Sequence, residues 1–238
     1  MCGRITQRAI PATFVATLGA SPTPIAPRFN FAPTQVSAVV HSVAESRDPD
    51  GRLGEGGDAP QTGRRAQPMQ WGLIPSWAKE PPARGGWINA RGETAAEKPS
   101  FRDAFRSRRC LVPADGFYEW QGERGAKVPH LIERPGGRPF TLAGLWERWT
   151  DPRGDADPLL TFTVLTTEPN ATMSPLHDRM PVILDGPDRD AWLDPDAGRE
   201  SLQRLIRPAA DDYLHAFPVS RRVNNPKHDD PSLAEPAD

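Results

Sequence analysis

Prolines come too often along this chain for long helices to survive. Of its 238 residues, 28 are proline and 20 are glycine. A proline inside a helix removes a hydrogen bond and clashes with the preceding turn, so helices must be short and loops numerous. What remains are short apolar, β-branched runs of strand length. Strands are expected at residues 36–42, 69–74, 110–120, 128–133, 140–149, 160–166, 181–184 and near 213–223. An amphipathic helix over residues 7–18 is weakened by Pro11. A short helix fits 100–106 with Ser100 as its N-cap, and one over 189–206 must break or restart at Pro195. The pattern predicts an α+β fold: a single strand-rich domain over residues 1–225, with a barrel-like curled sheet and a few short flanking helices. Residues 45–67 are polar and glycine-rich and read as a mobile surface insertion, and the tail 226–238 reads as disordered.

No stretch approaches the ~20 apolar residues of a membrane span, and the N-terminus lacks the apolar core of a secretory signal. Two cysteines, Cys2 and Cys110, make no disulfide framework, and no His/Cys cluster has zinc-ligand spacing. A reducing cytoplasm fits. The net charge of -2 hides an asymmetry, because residues 64–110 carry ten Lys/Arg against four Asp/Glu, a local +6. Trp71, Trp77, Trp87 and Trp120 lie in or beside that stretch. Cations interleaved with aromatics suit single-stranded nucleic acid, supplying charge for phosphates and flat faces for unpaired bases. Most tryptophans are core residues, so one or two of these are expected on a binding surface.

The chain opens Met1-Cys2-Gly3-Arg4. A small second residue permits removal of the initiator methionine, which would leave an α-amine and a thiol on one carbon. Their pKa values, roughly 7.7–8.0 and 8.5, make both partly nucleophilic near neutrality. Such an aminothiol condenses with an aldehyde through its amine, and the thiol then closes a thiazolidine ring.

Four further patterns can carry chemistry. Trp71-Gly72-Leu73-Ile74-Pro75-Ser76-Trp77 is an apolar strand entering a turn. In Asn89-Ala90-Arg91 an amide and a guanidinium sit two residues apart, on one side of an extended segment. The arginine can fork onto phosphate, and the asparagine can orient a substrate oxygen or the N-terminal amine. Glu119, between Tyr118 and Trp120, is either a proton shuttle raised in pKa by apolar surroundings or a cross-strand salt-bridge partner. His177, followed by Asp178 and Arg179, is either a proton-exchanging group or a hydrogen-bonded structural residue.

Taken together, the sequence resembles the SRAP (SOS-response-associated peptidase) family. The resemblance is carried by Met1-Cys2-Gly3-Arg4, the WGLIPSWA and INARGET stretches, Pro99-Ser100-Phe101-Arg102, RRCLVPADGFYEW and His177-Asp178-Arg179-Met180-Pro181, in family order. It implies a single α+β domain on a barrel-like sheet, loss of Met1 in part by self-processing, and covalent capping of abasic sites in single-stranded DNA by Cys2. Glu119 matches the family's catalytic acid, His177 the residue assisting sugar ring opening and Schiff-base chemistry, and Asn89 the amide that positions the reacting groups. Arg4 and Arg91 match phosphate clamps, with Trp71 and Trp120 as DNA contacts. No metal or cofactor is implied, and weak β-lyase activity is a side expectation. The expected partner is single-stranded DNA containing abasic sites, with no membrane contact, bound by a monomer in the bacterial cytoplasm that is nucleoid-associated when crosslinked. An N-terminal cysteine hydrolase or thiol peptidase acting on amides is the alternative, and a non-catalytic single-strand-binding module is a third reading.

Overall fold

Five strands of this chain close into a ring. The structure, a computed structural model, describes residues 2–43, 63–83, 85–123 and 125–237. Among these the strands are β1 (Ile5–Gln7), β2 (Arg28–Phe31), β3 (Val36–Ser42), β4 (Arg64–Trp71), β5 (Asn89–Arg91), β6 (Arg109–Ala114) and β7 (Gly116–Gln121). They continue with β8 (Val128–Glu133), β9 (Phe140–Trp149), β10 (Leu159–Thr167), β11 (Met180–Pro181), β12 (Ile183–Leu184) and β13 (His215–Pro218). The helices are α1 (Ala12–Thr17), α2 (Gly92–Ala95), α3 (Arg102–Ser107), α4 (Pro187–Leu193) and α5 (Arg199–Arg204), none longer than two turns. This is the strand-rich α+β domain that the proline spacing predicts.

One sheet runs β11-β10-β4-β3-β6-β9-β12, and an additional β10–β9 pairing closes its middle five strands, β10, β4, β3, β6 and β9, into a barrel. Along its other edge β10 pairs in parallel first with β4 and then with β5. Closure gives each barrel strand an inner and an outer face. One apolar cluster, including Met69, Trp71, Val112 and Phe162, fills the interior and continues to Cys2, Ile5, Phe31 and Phe117. The other, including Leu111, Leu145, Phe105, Trp192 and Leu202, lies under α2–α5. Hence β6 is buried at every position, which gives it a continuous apolar run instead of alternation.

A second, antiparallel sheet, β13-β8-β7-β1-β2, covers the barrel and carries the N-terminus. The run expected as one strand over 110–120 is two strands in different sheets, parted at Asp115. That buried carboxylate accepts hydrogen bonds from Thr6 Oγ1 at 2.6 Å, Arg8 Nε at 3.1 Å and the Ala9 amide at 2.8 Å. At Gly116 a Cβ would lie 2.7 Å from Thr6 Oγ1 and 3.1 Å from Ile132 O, so β7 can meet β1 this closely only through glycine.

Other expectations are corrected. Residue 7, expected to open a helix, instead ends strand β1, which pairs with β2 and β7, and the helix starts only after Pro11. Sheet pairing overrides the local helical period there. Helix α3 begins one residue past Phe101, so Ser100 is not its N-cap. The 189–206 helix breaks at Asp194, next to Pro195, as expected. Strand 181–184 is two short pieces bound to β10 and β9. The proposed insertion at 45–67 lies outside the described residues up to residue 62, while its last residues, 64–67, belong to β4 and pair with β3.

The C-terminal tail, expected to be disordered, is packed. Leu233 is fully buried, Val219 bridges Pro236, and the Asp229 carboxylate takes the backbone amides of Phe29 and Asn30. Its polar residues find fixed partners on β2, which composition does not reveal.

Candidate active site

Cys2 is 1% exposed at the start of the segment leading to β1. Burial raises its thiol pKa, the Glu119 carboxylate raises it further, and a backbone hydrogen bond at Arg4 acts in the opposite sense. The sulfur is therefore a neutral thiol at pH 7 and needs a base beside it to react as thiolate. Glu119, 4% exposed on β7 opposite His130, is the carboxylate that acts on it. The two come together because β1 and β7 are neighbours, with the Tyr118 amide bonded to Arg4 O at 3.0 Å.

Asn89 sits at the start of β5, pinned in parallel register against Val164 of β10. Its Nδ2 donates to the Cys2 carbonyl oxygen at 2.8 Å. Its Oδ1 is buried without a hydrogen-bond partner among the described residues. Of the sequence-predicted residues, Cys2, Asn89 and Glu119 are thus brought together.

His177 lies on the loop between β10 and β11, a quarter exposed. Its Nδ1 accepts the Arg179 amide at 3.0 Å and is 2.7 Å from Asp178 Oδ1. Both of these partners lie within its own turn.

The four residues assigned to DNA fare differently. Arg91 is exposed at the end of β5. Arg4 is held inside the fold: Nη1 donates to Asn30 Oδ1 and Val223 O, both at 2.7 Å, and Nη2 to Asn224 O at 3.3 Å. Its guanidinium is 6.0 Å from the Trp120 ring centre, and Trp120 Nε1 donates to Asn224 Oδ1 at 2.7 Å. Trp120, Lys127, Arg221 and Asn224 line a cleft of about 350 Å3. Trp71 must be withdrawn as a DNA contact. It is fully buried, stacked between Phe31 (5.6 Å) and Phe162 (6.2 Å), with Nε1 donating to Ile88 O.

The exposed indoles are instead Trp77 at 63% and Trp87 at 52%. Both sit on a loop crossing in which Leu73 and Trp87 exchange backbone hydrogen bonds. At Gly72, with φ +124°, a Cβ would come 1.7 Å from Gly85 O, so the crossing requires glycine. The usable signal was the turn composition around Trp77, with Pro75-Ser76 before it and Pro81-Pro82 after it. The basic stretch is also partly structural. Arg109 caps Phe105, Trp192 and Asp194 carbonyls, Arg64 pairs with Asp190 and Arg108 with Glu147. Arg65, Lys79, Arg91, Lys98, Arg102 and Arg106 remain on the surface.

A model of the SOS response associated peptidase (SRAP) family matches residues 1–226. The chain is 45% identical over 169 residues to the abasic site processing protein YoqW of Bacillus subtilis, covering 70% of this chain and 75% of that protein. It is 39% identical over 212 residues to the abasic site processing protein YoaM of Bacillus subtilis, covering 88% and 85%. A solved structure of a protein from Bacteroides thetaiotaomicron superposes with a TM-score of 0.81 at 23% identity, over 99% of this chain and 100% of that one, a likeness of fold alone.

Proposed function

This chain belongs to the SOS response associated peptidase (SRAP) family, and on that premise we propose that it captures abasic sites in single-stranded DNA by covalent bonding to Cys2. The observation that carries the reading is the Asn89 amide on the Cys2 carbonyl, with Glu119 acting on the adjacent thiol. Cys2 is held there by its backbone carbonyl, so that once Met1 is removed its amine and sulfur are left to react.

In this mechanism the Met1–Cys2 peptide bond is first hydrolysed, in part by the protein itself, freeing the α-amine. The amine adds to the open-chain C1′ aldehyde and water leaves, giving an imine. The Cys2 sulfur then bonds to the imine carbon, and its proton passes through Glu119 to the nitrogen, closing a thiazolidine. His177 assists ring opening of the sugar by donating a proton toward its ring oxygen. Asn89 Oδ1 orients the amine. Arg91 supplies charge to a flanking phosphate, and exposed Trp77 and Trp87 offer faces for unpaired bases. Ring closure protects the imine from β-elimination, so lyase activity is a minor side reaction.

The test is intact mass and a denaturing gel, before and after incubation with a single-stranded oligonucleotide bearing one abasic site. Loss of Met1 and a heat-stable adduct are expected, with no adduct from Cys2→Ala. A wild-type protein lacking Met1 that forms no Cys2-dependent adduct sinks the reading. Turnover of amide substrates in its place would favour the N-terminal cysteine hydrolase.

A further inference from the structure

We propose that Glu93 is a positioning residue for His177, acting through Arg179 to decide which ring nitrogen carries the proton. The inference rests on the role given to His177 above. Arg179 Nη1 and Nη2 donate to the two Glu93 carboxylate oxygens at 2.8 and 2.7 Å, a bidentate fork, and Nη2 also donates to Thr166 O at 2.7 Å. The arginine is 8% exposed, so its position is set by these acceptors. Burial acts to raise the Glu93 pKa, but the Arg179 hydrogen bond and charge outweigh it, keeping the carboxylate ionised.

The other end of the fork is rigid as well. Glu93 stands in α2, directly after the strand that bears Asn89 and Arg91. At Gly92 a Cβ would lie 2.4 Å from Ile206 Cγ2 and 3.2 Å from Thr166 O, so this junction packs without slack onto the carbonyl that Arg179 also uses. The pair therefore fastens the Asn89 segment to the loop bearing His177.

Two partners compete for His177 Nδ1. The Arg179 N–H, at 3.0 Å, needs Nδ1 as an acceptor, while the Asp178 carboxylate, at 2.7 Å, can bond only to a protonated Nδ1. If the amide wins, the neutral ring has its proton on Nε2, a donor for the sugar oxygen. If the carboxylate wins, Nε2 is an acceptor and cannot serve. Asp178 is 82% exposed, so water competes for its carboxylate, whereas the Arg179 backbone is anchored through its own side chain. The clamp thus selects the donor form of His177.

The variants are Glu93→Ala and Glu93→Gln, both at an exposed position, each also made with His177→Ala. Imidazole nitrogen NMR should place the wild-type His177 proton on Nε2 and shift it toward Nδ1 in Glu93→Ala. Crosslinking to abasic single-stranded DNA should slow about tenfold, a fraction of the ~10²–10⁴ that a positioned acid contributes. Affinity for intact single-stranded DNA should stay within about threefold, since only uniform binding would alter it. Glu93→Gln should lie between Glu93→Ala and wild type. In the His177→Ala background Glu93→Ala should have no further effect. An unchanged tautomer and rate, or the same slowing with and without His177, overturns the proposal. If the wild type forms no Cys2-dependent adduct, the crosslinking reading fails instead, and the ring spectrum still decides the clamp.

Discussion

A cysteine thiol in water ionises near pH 8.5, but at Cys2 burial and the Glu119 carboxylate both hold the proton on sulfur. In the proposed mechanism the sulfur is thus quiet until a reacting carbon arrives, and Glu119 takes its proton during attack. Asn89 holds the Cys2 backbone in place for this. Asn89→Ala removes one charge-neutral hydrogen bond in a buried setting, worth about 1–3 kcal/mol. Single-turnover crosslinking of that variant should fall about 10- to 100-fold, read on a denaturing gel, and an unchanged rate would deny the residue a role. Cys2, Asn89 and Glu119 were legible as candidates because a residue's reactive groups are written in its identity. Exposure was not. Trp71 and Trp77 stand six residues apart in similar sequence, yet one is sealed between two phenylalanines and the other faces water.

At the level of elements, β3, β8 and β9 fall where their apolar runs predict, since a strand with a buried face must carry that run itself. The errors share a cause. Residue 7 joined a strand in place of a helix, residues 110–120 divided at Asp115, and the polar tail packed, each through partners about 20 to 200 residues distant in sequence. The segment leading into the tail has consequences for the candidate site, because Asn224 holds Trp120 and shares Arg4 with Val223. Leu233 anchors the tail's far end, with Tyr118 and Val223 in the same cluster. Leu233→Ala should cost about 2–5 kcal/mol in urea unfolding at pH 7, as for a buried leucine elsewhere. A loss under about 0.5 kcal/mol would mean the tail contributes no packing.

Over the whole molecule, two sheets trap ionisable groups that water would otherwise reach. Burial raises the thiol of Cys110 as it does that of Cys2, and raises the phenols of Tyr118 and Tyr213. In the unfolded chain thiols lose their protons near pH 8.5, while the folded ones keep them, so the folded state binds more protons above that pH. Stability is then complete below about pH 8.5 and falls as pH rises, by about 1.4 kcal/mol per thiol per pH unit. Urea unfolding at pH 7.5 and 9.5 should show this slope, and Cys110→Ala should flatten it; an identical slope in that variant would refute the assignment. Proline spacing and the apolar runs determined by themselves that helices are short and that strands dominate, and the aminothiol motif marked Cys2 as a candidate nucleophile. Those properties depend on a residue and its immediate neighbours. Only the tertiary structure decided that β9 and β10 close the barrel, that Asn89 meets the Cys2 carbonyl, that Trp77 and Trp87 are the exposed indoles, and that Glu93 grips Arg179. Each of these is a pairing or a burial, and its energy resides in contacts between distant segments, where no local pattern records it.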